Sequence, residues 1–282
     1  MGEARKAAAS WLRPDGRVAI MGILNVTPDS FSDGGLFLAR DKALKHVEAL
    51  VGAGADIIDV GGESTRPAAT PVGAEEECER VIPILEALRG RLAVALSVDT
   101  SEPLVMAEAV AAGASLINDV RALTRPGALD MAASLGVPVC LMHEPGGSSM
   151  MGARTVPGDI VDEVKTYLAR RLEAARSAGI ADDHIIVDPG FGFGKDLAEN
   201  RSLLRRLPEI VALAPVLVGV SRKRLTGEPW GLPVGGRLQT SIALALAAIQ
   251  GGARVVRVHD VRETREAVRA WEWVFEPKEW VA

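Results

Sequence analysis

A carboxylate, an amide or a guanidinium that closes an apolar strand is well placed to bind a small polar molecule. This chain has such groups again and again. Asn25, Asp59, Asp99, Asn118, His143, Asp188, Ser221, and Arg257 with His259, each stand at the end of a short β-branched or apolar run. Carboxylates and amides can meet neighbouring donors and acceptors on a polar ring, while guanidinium and imidazole groups suit anions. One polar strand end is an ordinary turn former or helix cap; so many converging are hard to reach by capping alone. Spacing adds to this, because residues two apart on a strand share a face. Arg257 and His259 therefore project together, as do Ser97 and Asp99, and Met21, Ile23 and Asn25. Asparagine occurs only at positions 25, 118 and 200, and two of the three fall in this set.

The elements that must position these groups are strands at 18–26, 56–60, 94–98, 115–120, 137–142, 185–188, 216–220 and 254–258. Stretches with apolar residues at helical spacing lie between them, among them 41–51, 75–88, 103–112, 159–178, 200–213 and 236–249. Glycine commonly ends the helix before the next strand, as at Gly54, Gly113 and Gly179. Alternating strands and helices imply a parallel sheet with right-handed crossovers. Eight units in about 250 residues favour a closed (β/α)₈ (TIM) barrel, whose active site lies at the C-terminal ends of the strands. An open doubly wound sheet would want a Gly-x-Gly-x-x-Gly turn after its first strand, where this chain reads Asn25-Val26-Thr27-Pro28-Asp29. The expectation is a single domain over 1–282, with 1–17 as an N-terminal extension and a mobile polar loop at 144–157.

Composition excludes several classes. The chain has 282 residues, 48% of them hydrophobic, and a net charge of −5. A domain of that length buries roughly 75% of the surface of its unfolded chain and needs no staple. The mild acidity gives no support to a nucleic-acid or membrane partner. Cys78 and Cys140 have no metal-binding spacing and read as packing residues. Residues 1–17 lack the apolar core of a signal peptide, and no apolar run approaches the ~20 residues of a membrane span. A soluble, cytoplasmic protein is expected.

Several segments have a specific resemblance. The run from Met21 through Asn25-Val26-Thr27-Pro28-Asp29-Ser30-Phe31 to Gly35 is similar to the first signature of the dihydropteroate synthases. Asp59-Val60-Gly61-Gly62-Glu63-Ser64-Thr65-Arg66-Pro67 resembles their second. Further matches are Ser97-Val98-Asp99-Thr100, Ile117-Asn118-Asp119-Val120, Asp188-Pro189-Gly190-Phe191-Gly192-Phe193-Gly194-Lys195, Gly219-Val220-Ser221-Arg222-Lys223 and Arg257-Val258-His259-Asp260. They follow the family order from residue 21 to 260.

The resemblance implies an enzyme that joins a dihydropterin pyrophosphate to p-aminobenzoate in folate biosynthesis. It assigns the pterin to Asp99, Asn118, Asp188 and Lys223. It assigns the pyrophosphate to Asn25, Arg66, Arg257 and His259, with Mg²⁺ on Asn25. The p-aminobenzoate pocket, which would also take sulfonamides, falls to Thr65, Pro67, Phe193 and Lys223. Catalytic roles fall to Lys223, Arg257 and His259, and the family also implies a homodimer. The loops at 28–38 and 61–71 have the Gly, Pro and Ser content of closing lids.

Ordinary readings stand beside these. Arg257 could be half of a buried ion pair with Asp99 or Asp188, Phe193 could be rim packing, Ser221 could begin a helix and Asp59 could support the second loop. Arg222 and Arg224 read equally as solvated charges. Two departures stand out: Arg224 follows the Ser-Arg-Lys triplet where many members have Ser, and His143-Glu144-Pro145-Gly146 replaces a His-Met-Gln-Gly run, so His143 is left out of the site. The Gly190–Lys195 run imitates a phosphate loop but is one residue short and continues into Asp196 where Ser or Thr should bind Mg²⁺. A pterin-binding methyltransferase would keep Asp99, Asn118 and Asp188 but has no use for Asn25, Lys223 or the Arg257–His259 pair. A sugar-phosphate enzyme would want Gly-rich loops after strands seven and eight. A non-catalytic pterin-binding paralogue remains the rival from another class.

Overall fold

Parallel strands cannot be joined by a tight turn, so each must be followed by a crossover that returns the chain to the same end. The computed structural model describes residues 17–26, 35–63, 72–144 and 158–275, and repeats that unit around a ring. The strands are β1 (Ala19–Asn25), β2 (Ile57–Gly61), β3 (Ala95–Asp99), β4 (Leu116–Asp119), β5 (Val139–Met142), β6 (Ile185–Asp188), β7 (Leu217–Val218) and β8 (Val255–Val258). The helices after them are, in turn, α1 (Gly35–Gly52), α2 (Ala74–Leu88), α3 (Pro103–Ala112), α4 (Ala128–Leu135), α5 (Ile160–Ser177), the pair α6 (Leu197–Arg205) and α7 (Leu207–Val211), α8 (Leu238–Gln250) and α9 (Val261–Phe275).

All strand pairs are parallel, in the order β6-β5-β4-β3-β2-β1-β8-β7. The two ends of that row meet at one bridge, Val187 to Val216, where Val187 N–H donates to Pro215 O at 3.0 Å. The barrel is closed, but this seam is thin: β1 and β2 pair five residues, whereas β7 itself has two.

Period-2 strands in a barrel build two cores. Outward residues such as Ile20, Ile58, Val98, Ile117 and Val256 pack with helix residues such as Val47, Leu85, Met106, Leu168 and Val268. Inward residues Ala19, Met21, Ile57, Leu116, Cys140, Ile186, Leu217 and Val255 form a separate cluster that plugs the barrel. Cys140 is fully buried there, while Cys78 is half-buried against the outer core.

Several boundaries differ from expectation. The helix expected over 200–213 is two, because Pro208 lacks the N–H that would continue it and Arg206 sits between them at φ −106°. Helix α1 begins at Gly35, inside the stretch expected to be loop, and β7 is shorter than 216–220. Helices α4 and α9 complete units whose helices the sequence had not delimited. Residues 1–16 of the expected N-terminal extension and 145–157 of the expected polar loop lie outside the described residues. Among the described residues no helix is long and apolar enough to cross a membrane.

Candidate active site

The inward face changes character along each strand. Two residues beyond the apolar plug, Ile57 is followed by Asp59, Ala95 by Ser97, Leu116 by Asn118, Ile186 by Asp188 and Val255 by Arg257. The registers bring these together: Asp59 lies beside Ser97, Asp99 beside Asn118, Met142 beside Asp188, and Met21 beside Arg257. The C-terminal mouth is thus a polar layer resting on an apolar floor.

Asp59 is its hub. The carboxylate is completely buried and accepts from Ser97 Oγ at 2.6 Å, Asn118 Nδ2 at 3.0 Å and Arg257 Nε at 2.6 Å. With three donors on its two oxygens, Asp59 is a supporting group, and what it holds are the Ser97, Asn118 and Arg257 side chains. Arg257 Nη2 donates to Asp99 Oδ2 at 2.7 Å, so the buried ion pair foreseen for Arg257 exists, with Asp59 and Asp99 and not Asp188 as the hydrogen-bonded partners. Burial pushes the Asp99 carboxyl up, against the pull of the Arg257 guanidinium.

The other wall comes from β6 and the turn after β7. Asp188 Oδ1 accepts from Gly190 N–H at 2.7 Å, so it does cap a turn with one oxygen. Burial raises its pKa, opposed by Lys223, the Gly190 amide, Lys195 and Arg257. Arg222 adopts a left-handed φ of 58°, a conformation costly for a residue with a side chain. Asp260 holds its guanidinium through two hydrogen bonds, and Ser241 Oγ accepts from its amide at 3.0 Å. After that turn Lys223 points back inward, where Nζ donates to Phe191 O at 2.7 Å and lies 4.6 Å from the centre of the Phe193 ring. Gly192 leaves the space: at its φ of +80° a Cβ would sit 3.1 Å from Lys223 Cδ. Burial lowers the Lys223 ammonium to about 8, with Asp188 opposing. Arg222 and Arg224 are both exposed, as solvated charges would be, and each pairs with a carboxylate, Asp260 and Glu228 in turn.

Among the described residues nothing hydrogen-bonds Asp99 Oδ1, Asp188 Oδ2 or Asn118 Oδ1. Three acceptors around one mouth are left for a ligand. His259 stands at the rim with Nδ1 3.0 Å from Ser221 Oγ, which also accepts from the His259 amide at 3.2 Å. A hydroxyl hydrogen given to Nδ1 would put the ring hydrogen on Nε2. Burial, then Arg222 and Arg257, depress the imidazole to about 4, so it is a neutral donor at pH 7. Asn25 is the one exposed residue of β1, and no described residue hydrogen-bonds its side chain. Thr65, Arg66 and Pro67 lie outside the described residues. The His143 ring is buried edge-on to Tyr167, with ring centroids 5.0 Å apart, while its backbone N–H donates to Asp188 O at 2.9 Å.

Sequence reasoning passed over the groups that stiffen this mouth. Lys195, from the imitation phosphate loop, is buried with its ammonium on the carbonyls of His143, Gly190 and Phe193. Asp196 instead caps α6 in a reciprocal box with Glu199. Asn200 accepts from Gly192 N–H at 2.8 Å and donates to the carbonyls of Lys195 and Asp196. The rarity of asparagine in this chain was the available signal for it. Asp119 accepts from Ser101 Oγ and from the amides of Arg121 and Leu123, bracing the turn after β4.

Known proteins share this arrangement. A family model described as pterin binding enzyme matches residues 21–259. The dihydropteroate synthase of Escherichia coli strain K12 is 49% identical over 261 residues, which is 92% of this chain and 93% of that one. Among solved structures, Xanthomonas albilineans dihydropteroate synthase with 4-aminobenzoic acid superposes with a TM-score of 0.87 at 50% identity, covering 93% of this chain and 94% of that chain. The same organism's enzyme in complex with 7,8-dihydropteroate gives a TM-score of 0.86 at 46% identity, covering 96% and 98%. Family match, identity and barrel agree over the same stretch of chain, and the chain belongs to the dihydropteroate synthase family of pterin-binding enzymes.

Proposed function

We propose that the chain is a transferase that condenses 6-hydroxymethyl-7,8-dihydropterin pyrophosphate with p-aminobenzoate, releasing pyrophosphate and forming 7,8-dihydropteroate for folate biosynthesis. The observation that carries this reading is the set of three open acceptors, Asp99 Oδ1, Asn118 Oδ1 and Asp188 Oδ2, beside the Arg257 and His259 donors. The relatives named dihydropteroate synthase, and the X. albilineans enzyme bound to 7,8-dihydropteroate, support the same reaction.

In the reaction the amine lone pair attacks the pterin's methylene carbon and the C–O bond to pyrophosphate breaks. The electron pair leaves with pyrophosphate, and the new secondary amine sheds its proton to solvent. An electron-rich dihydropterin stabilises positive charge on that carbon itself, so the protein's task is positioning and stabilising the leaving group. Asp188 and Asp99 take the ring's N–H groups, and the fixed amide of Asn118 adds a matched acceptor. Arg257 and neutral His259 donate to the departing oxygens. Lys223, beside the Phe193 ring, serves the pterin and the aryl amine; the family resemblance adds Thr65 and Pro67 for the aryl amine, whose place sulfonamides would also take, and Arg66 for the pyrophosphate.

Mg²⁺ fits Asn25, a neutral oxygen donor at the rim whose side chain no described residue occupies. Magnesium needs few protein atoms when phosphate and water supply the rest. Among the described residues no three His, Cys, Asp or Glu side chains gather to hold a metal alone. Bound there, the ion would offset the charge of the leaving pyrophosphate. Asn25→Ala should then raise the Mg²⁺ concentration for half-maximal activity while a pterin without pyrophosphate binds as before. Equal losses for both ligands would remove Asn25 from the metal. The family resemblance also supports a homodimer acting in the cytoplasm, which sedimentation and cell fractionation would test.

The deciding experiment is a coupled assay for pyrophosphate with both substrates and Mg²⁺. Release that depends on p-aminobenzoate is expected. No release by the folded chain would overturn the reading in favour of a non-catalytic pterin binder.

A further inference from the structure

A lysine buried at the foot of the turn after β6 is an expensive residue. Burial lowers the Lys195 ammonium to about 7, with Asp188, Glu163 and Glu199 pulling it up and Lys223 pushing it down. A leucine would fill such a position without that cost, so the lysine needs a reason. Its hydrogen bonds supply one. Nζ donates to His143 O at 3.3 Å, Gly190 O at 2.8 Å and Phe193 O at 3.1 Å. Those carbonyls belong to the end of β5 and to two points of the turn that carries Asp188 on one side and Phe193 on the other. The packing is close: Gly190 has φ +70°, and a Cβ there would lie 2.0 Å from His143 O.

We propose that Lys195 is a positioning residue for the reaction, its ammonium tying the end of β5 to the turn after β6 so that Phe193 and Lys223 stand ready for the aryl amine. The inference rests on the function proposed above. The chain of contacts is continuous: Lys195 holds Phe193 O, the Phe193 ring lies 4.6 Å from Lys223 Nζ, and Lys223 Nζ donates to Phe191 O in the same turn. Asn200 holds the middle of the turn through Gly192 N–H and donates to Lys195 O, so release of the ammonium loosens the turn at both ends while leaving its centre attached.

The test replaces Lys195 with Met, an unbranched side chain one atom shorter that removes every donor, and with Gln, which keeps two N–H groups for three carbonyls. Steady-state kinetics should give a KM for p-aminobenzoate raised about tenfold or more in Lys195→Met, with kcat changed less than about threefold. Lys195→Gln should fall between it and the wild type. Arg265→Met is the control. Arg265 also donates to a backbone carbonyl from a buried side chain, that of Gly54, but at the opposite mouth. It should lose thermal stability and keep its KM. An unchanged KM in folded Lys195→Met, or an equal rise in Arg265→Met, would overturn the proposal. So would failure of both Lys195 variants to fold, which would make Lys195 a residue of the fold alone. A wild-type chain that releases no pyrophosphate would instead sink the function reading, so the two failures are told apart.

Discussion

Two arginines of the last βα unit stand at opposite mouths of the barrel. Arg257, on β8, pairs with Asp59 and Asp99 among the strand ends. Arg265, on α9, donates to Gly54 O and pairs with Asp56, whose Oδ2 also accepts from Ile20 N–H at 2.8 Å. Both guanidiniums are largely buried, with side-chain exposures of 19% and 9%, and each binds a carboxylate that has a second donor. Burial and pairing therefore do not mark a functional arginine. The surroundings do. Arg265 binds the Gly54 carbonyl and the Asp56 carboxylate just ahead of β2, and Asp56 in turn holds the Ile20 amide of β1. Around Arg257 lie acceptors that no described residue uses, and a carboxylate held in place by three donors.

The strongest way to break this contrast is to remove the hub. Asp59→Ala would leave Arg257 with Asp99 as its one carboxylate and strip Ser97 and Asn118 of their shared acceptor, costing about 3–5 kcal/mol. Denaturant melts should record that loss, and activity should fall below detection. A variant of near wild-type stability would mean that Asp99 alone holds Arg257 and that Asp59 is not the hub. Next comes Arg257→Met, expected to lower kcat/KM about 10²–10³-fold through the lost leaving-group donor. Arg265→Met should cost about 3 kcal/mol of stability yet change kcat/KM less than twofold. If the two variants lost activity equally, the distinction between the mouths would collapse.

A smaller effect belongs to pH. The Lys223 ammonium, lowered to about 8, is charged below that pH and neutral above it. Pterin affinity should therefore weaken as pH rises from 7 to 9, by about tenfold, and Lys223→Met should show a flat response. Calorimetry across that range decides it. The smallest effect concerns Glu77 on α2, buried with Oε1 lacking a hydrogen-bond partner among the described residues. Burial raises it to about 8; the Thr100 hydroxyl opposes, and Glu63, Asp99 and Glu102 add to the rise. The folded state then keeps a proton that the unfolded chain gives up near pH 4.5, so stability is lost as pH climbs from 4.5 to 8. Glu77→Gln should stabilise the protein at pH 8 and do nothing at pH 5. Equal urea midpoints for both proteins at the two pH values would show that the carboxyl ionises freely.

Much of this contrast is legible in the sequence. Apolar strands with polar ends identify both the barrel and the mouth that bears the site, because period-2 geometry puts Asp59, Ser97, Asn118, Asp188 and Arg257 inward together. Partners were harder to read. Nothing local says that Arg257 reaches Asp59 across 198 positions, because such contacts are set by barrel closure and register. Lys195 was hidden by its surroundings in sequence: a Gly-rich run ending in lysine looks outward, toward phosphate, until the fold turns it onto carbonyls. The split at Arg206 was missed because apolar spacing continues across Pro208, whereas hydrogen bonding does not.

The thin seam between β6 and β7 has a consequence for how the barrel responds to its ligands. A hoop closed by one bridge is easiest to open there, and the groups on either side of the gap are Asp188, on β6, and Lys223, on the turn after β7. Protein alone spans it with the Lys223 contact to Phe191 O and the amide of Val187. A pterin held by both Asp188 and Lys223 would act as a clasp across the gap, so its binding energy would appear as resistance of the whole ring to opening. Amide hydrogens along β6 and β7 would then exchange more slowly with the pterin bound, far more so than those of the long β2–β3 ladder on the opposite side of the hoop.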